Sequence, residues 1–70
     1  MNITKADIDA MITAGNVAKD ILAMDSEGME PVDCLRFAVD AGIEYPDAVY
    51  LVTRTLKLDD DEVFEMEADY

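Results

Sequence analysis

The chain has no histidine, no tryptophan, one cysteine and one serine. Without histidine, Cys–His and Ser–His–Asp arrangements are excluded within one chain. Cys34 has no intramolecular disulfide partner, and its place next to Leu35 on an apolar helix face reads as a small core residue. Zinc-finger spacing is absent. "DSEGMEPVDCLR" begins like a calcium loop, but Met29 takes the fifth place, Glu30 the place of the central glycine and Arg36 the twelfth. No metal, cofactor or catalytic residue is therefore expected, and the chain reads as a non-enzyme. Two carboxylates can cleave glycosides, but they need a cleft that seventy residues rarely build.

Positive charge is also scarce. Five Lys and Arg stand against 17 Asp and Glu, for a net −12. Direct nucleic-acid binding and anionic membrane surfaces both require Lys and Arg, so neither is expected. No apolar run approaches the roughly 18 residues of a membrane span. "MNITKADIDA" lacks the basic-then-apolar layout of a signal peptide, and a cytoplasmic location is the expectation. The partner that suits this charge is a basic protein.

What is present is apolar material in helical register. Half of the residues are hydrophobic, too many for a disordered chain. The pattern predicts an all-α fold: a small bundle of three to four short helices, with an acidic C-terminal helix or tail. The first helix is expected from about Ala6 to Met24. Thr4 and Asp7 approximate a capping box at its start. Ile8, Met11, Ile12, Ala18, Ile21 and Leu22 form its apolar stripe, opposite Asp9, Thr13, Asn16 and Asp20. Gly15 is its weak point, and continuity is the favoured reading over a break.

Pro31 suits the first turn of a second helix, with Val32, Leu35, Ala38 and Val39 on its apolar stripe. Gly42 and Ile43 fit the stop that follows. Pro46 suits the first position of a third helix. Its "AVYLVTRTLKL" is rich in β-branched residues, but a lone strand would have nothing to pair with, so helix is expected. From Phe37 to Leu51 the apolar pattern echoes a helix-turn-helix. The would-be reading helix, however, presents Glu44, Asp47, Val49 and Tyr50 rather than basic or amide side chains.

The last stretch concentrates the charge. "LDDDEVFEMEADY" carries Asp59, Asp60, Asp61, Glu62, Glu65, Glu67 and Asp69 with no base among them, yet holds Val63, Phe64, Met66 and Tyr70. The chain thus divides into a helical core over residues 1–58 and an acidic helix or tail over 59–70 of the same domain. Three readings compete: a solubilising face, a flexible acidic–hydrophobic motif, and a surface for a basic groove. The third accounts for both features. The acids would make the electrostatic contact, extended by Asp9, Asp20, Glu44 and Asp47, while Phe64 and Tyr70 would anchor it.

In size and composition the chain resembles small acidic phage-encoded inhibitors, the anti-CRISPR and anti-restriction proteins that mimic DNA. That resemblance implies an inhibitor that occupies the basic nucleic-acid-binding surface of a target. Those mimics are mostly acidic throughout, so here one acidic face is expected rather than a whole surface. The alternative is a helical dimerisation or adaptor module that acts through apolar helix faces, with the acidic end only solubilising. It predicts a homodimer.

Overall fold

The computed structural model describes residues 2–70. It holds four helices: α1 (Lys5–Ser26), α2 (Pro31–Asp40), α3 (Tyr45–Leu56) and α4 (Asp60–Asp69). No strand occurs among the described residues, so the β-branched run of residues 48–56 is helical. α3 is the centre of the bundle. It packs against both α1 and α2, which also meet each other, while α4 closes over α2 and α3 and does not approach α1.

Local sequence sets the helix ends. Thr4 Oγ1 accepts from the Asp7 N–H at 3.2 Å, and Asp7 Oδ2 accepts from the Thr4 N–H at 3.1 Å. This reciprocal pair satisfies two donors that a helix start leaves free. Those hydrogen bonds hold the Asp7 carboxyl below its ordinary pKa, the bond from the Thr4 backbone contributing most. The same device opens α4. Asp59 Oδ1 accepts from the Glu62 N–H at 2.9 Å, and Glu62 Oε1 accepts from the Asp59 N–H at 3.3 Å.

α1, α2 and α3 stop alike. Met29 N–H donates to Met24 O at 3.1 Å, Ile43 N–H to Ala38 O at 3.2 Å, and Leu58 N–H to Thr53 O at 3.0 Å. Each such bond follows a residue in the left-handed region: Gly28 (φ 87°), Gly42 (φ 100°) and Lys57 (φ 55°). Glycine adopts that conformation without a steric penalty, and lysine does not.

The core comprises Val17 and Ile21 of α1, Val32, Cys34, Leu35 and Ala38 of α2, Ala48 and Val52 of α3, and Met66 of α4. α1 is continuous through Gly15. Its apolar arc, however, is not the single core stripe that the spacing predicts. Val17 and Ile21 are buried, whereas Ile8, Met11, Ile12 and Leu22 are exposed. The apolar residues of α1 cover more of its circumference than α2 and α3 can cover. Twenty-two residues also span about 33 Å, longer than its ten- and twelve-residue neighbours. The first half of α1 therefore overhangs, with every residue from Lys5 to Thr13 exposed.

Candidate acidic interface

α4 is a docked helix, not a frayed tail. Met66 is in the core and Val63 packs against it. The Tyr70 ring lies 5.0 Å from that of Tyr45, tilted by 50°, a favourable aromatic geometry. Arg36 Nη2 donates to Asp69 O at 3.0 Å, which binds the last turn of α4 to α2. The same guanidinium lies 3.7 Å from Asp33. Asp33, three residues before Arg36, is thus its ion-pair partner, and Asp40, four residues after it, is not.

With Val63 and Met66 turned inward, helical spacing distributes the acids of α4 over its remaining sides. Glu62, Glu65 and Asp69, at i, i+3 and i+7, face the start of α2. There they line a cleft of about 280 Å³ with Glu30, Pro31, Val32 and Met66. Val32 and Met66 are buried and form its floor, while the four carboxylates are exposed on its rim. No Lys or Arg lines it. Phe64 points away from the core and is 74% exposed. Asp60 and Asp61 lie one turn before it and Glu67 one turn after.

The nine residues expected to form the interface thus share one helix and its cap, but they are not equivalent. Asp59 and Glu62 are engaged in the capping box. Tyr70 is half-exposed and engaged with Tyr45. Burial pushes the Tyr45 hydroxyl above its ordinary pKa, and the Glu67 carboxylate beside it adds to the rise. Asp60, Asp61, Glu65 and Asp69 have no side-chain partner among the described residues.

The proposed extension of this surface divides. Glu44 and Asp47 line a different concavity of about 740 Å³, between the overhang of α1 and the α2–α3 corner, with Met11, Ala14, Ile43, Tyr50 and Leu51. Asp9 and Asp20 are on α1, which α4 does not touch. The residue that does join α4 is Glu30, 32 positions before Glu62 in the chain. Neither helical spacing nor charge runs can signal that pairing, because only the packing of α4 on α2 creates it.

The α2–α3 corner confirms the helix–glycine–helix echo in outline: four residues, 41–44, separate the helices. α3 exposes Asp47, Tyr50 and Arg54 there, with the Arg54 guanidinium 5.6 Å from the Tyr50 ring centroid. Cys34 is buried. Burial pushes its thiol pKa up, and the charges of Asp25 and Asp33 push it further, the reverse of what a thiolate nucleophile requires. Among the described residues, no group of three or more potential ligands is arranged to hold a metal ion, and no helix is long and apolar enough to cross a membrane.

No protein-family model, curated protein or solved structure matches the chain.

Proposed function

We propose that the protein is a small inhibitor that docks the acidic face of α4 and the start of α2 onto the basic nucleic-acid-binding surface of a target protein. The observation that carries this reading is the cleft of Glu30, Glu62, Glu65 and Asp69 over Val32 and Met66. An apolar floor beneath carboxylates suits the dual character of a Lys or Arg side chain, whose methylene stem prefers apolar surface and whose head seeks charge. A purely solubilising face needs no such floor. Phe64 stands beside the acids as an apolar anchor in an otherwise polar field. Asp61, Glu65 and Asp69 repeat every four residues, about 6 Å apart along the helix axis, and so form a regular row of negative charge. Such a row competes for the Lys and Arg that would otherwise hold phosphates.

The test is capture of target proteins on the tagged native chain from a lysate of its source organism, followed by elution with duplex DNA. The comparison is a variant with Asp60→Asn, Asp61→Asn, Glu65→Gln and Asp69→Asn. None of the four side chains makes a hydrogen bond or ion pair among the described residues, but Asp60 and Asp61 stand in the first turn of α4, where negative charge favours the helix, so the variant's helical circular dichroism is matched to that of the native chain first. At about 0.5 kcal/mol for each exposed ion pair, the variant binds about 30-fold more weakly. Equal retention of native chain and variant, or a complex that DNA does not displace, contradicts the proposal.

A further inference from the structure

The core stripe of α1 outruns the core. Ala10, Ala14, Val17, Ile21 and Met24 recur at intervals of four, three, four and three residues, the spacing of one helix face set against a neighbour. Val17 and Ile21 are buried, and Met24 packs on the core. Ala14 is half-buried and Ala10 exposed, because α1 there leaves the packed part of the bundle. The same face then lines the concavity of about 740 Å³ beside the α2–α3 corner. Ile43 and Leu51, both packed against the core, line it too. The groove is thus the seam of the bundle continued past its end. Ala10, Ala14, Ala41 and Gly42 keep its sides low. A helix about 10 Å across fills that volume over about two turns.

Charge indicates what kind of segment fits. The acids of the groove are Glu44 and Asp47, and no Lys or Arg lines it. Both are unengaged where their counterparts are held. Asp7, Asp33 and Glu62 stand three residues after the N-caps of α1, α2 and α4, and each accepts from the N-cap N–H. Asp47 holds that position in α3, yet α3 has no capping box, and the Glu44 side chain at its N-cap makes no capping hydrogen bond. Neither acid forms an ion pair among the described residues. Tyr50 also lines the groove, and the Arg54 guanidinium 5.6 Å from its ring centroid shows that this ring accepts a cation.

Two unpartnered carboxylates beside an apolar trough suit Lys or Arg, whose stems lie on apolar surface and whose heads seek charge. A purely apolar helix would desolvate both carboxylates without pairing them. A second copy of this chain, at net −12, brings the wrong sign.

We infer that this groove binds an amphipathic helix of a partner protein. The helix lays an apolar face against Ala10, Ala14, Ile43 and Leu51 and carries Lys or Arg where it meets Glu44 and Asp47. The groove is at the end of α2 and the acidic cleft at its start, about 15 Å apart along a ten-residue helix. The two surfaces are separate, and the inference does not rest on the proposed function.

The probe is a synthetic peptide of about 18 residues, long enough to hold a helix, with leucine on one face and lysine on the rest. One control has the same residues scrambled, and another has glutamate for every lysine. Each is titrated into the isotope-labelled native chain, and amide shifts are followed residue by residue. The lysine peptide shifts Ala10, Ala14, Ile43 and Leu51, and both controls bind there at least tenfold more weakly. Glu44→Gln with Asp47→Asn weakens binding at the groove about fivefold, at about 0.5 kcal/mol for each exposed ion pair. Ala10→Trp fills the groove and abolishes binding there with an unchanged helical circular-dichroism signal, since Ala10 is exposed. The four-site neutralised α4 variant still binds the peptide at the groove, which separates this surface from the acidic face. Shifts confined to α4 overturn the inference, as does undiminished binding to Ala10→Trp. Equal binding of either control overturns it, because charge alone or apolar contact alone then suffices. So does self-association of the native chain through the groove, or no binding at millimolar peptide.

Discussion

Lys57 is the residue whose conformation and chemistry agree least. It ends α3 at φ 55°, where α1 and α2 use glycine. A side chain in that region costs about 1 kcal/mol. Lys57→Gly therefore raises stability by about that amount and the melting temperature by about 5 °C, read by thermal unfolding; an unchanged or lower midpoint contradicts this. Cys34 offers a pH signature. Its thiol pKa is raised in the fold, so the folded chain holds this proton to higher pH than the unfolded chain does. The sign follows by linkage: the contribution is fully present below the unfolded thiol pKa and is lost as pH rises through the folded one. Stability thus declines from about pH 9 upward, and Cys34→Ala flattens that decline until Tyr45 begins to titrate. A Cys34→Ala chain with the same alkaline decline would point to another group. Near neutral pH, thiol reagents label Cys34 only as fast as the fold opens.

At the scale of elements, α4 is held by few contacts, and each has a readable consequence. Met66→Ala removes its main side chain from the core and costs about 2–3 kcal/mol, a large part of the stability of so small a domain. Asp59→Ala removes the cap and costs about 1 kcal/mol. Amide exchange should show that Asp59→Ala loosens α4 first, leaving α1 protected; uniform loss across all four helices would mean that α4 does not open separately. Much of this architecture was legible in the sequence because it is local. The Thr4–Asp7 box, Pro31 at a helix start and Gly42 at a helix stop act within one or two turns. The error on α1 has a different origin. Spacing shows which residues share a face but not which face meets a neighbour, and α1 has apolar residues on two. Glu30 is not legible as a rim residue for a related reason: the cleft exists only once α4 packs on α2. From the sequence Tyr70 stands as an anchor candidate, because its partner in the fold, Tyr45, is 25 positions away in the chain.

The whole molecule carries a net −12 with a small core, and that repulsion opposes compaction. Sodium chloride should therefore raise the melting temperature of the native chain. A midpoint that falls with salt would show that local attraction, such as the Arg36–Asp33 ion pair, outweighs the repulsion. The same charge, ordered on α4 and the start of α2, gives the protein its proposed role. In that role the protein and nucleic acid exclude each other from the target's basic surface. The most direct test is an equilibrium competition, with a captured target, labelled duplex DNA and the native chain titrated in. The native chain is expected to displace the DNA fully, the four-site neutralised variant to need about 30-fold more, and Phe64→Ala to bind more weakly. A stable ternary complex of target, DNA and native chain would contradict it.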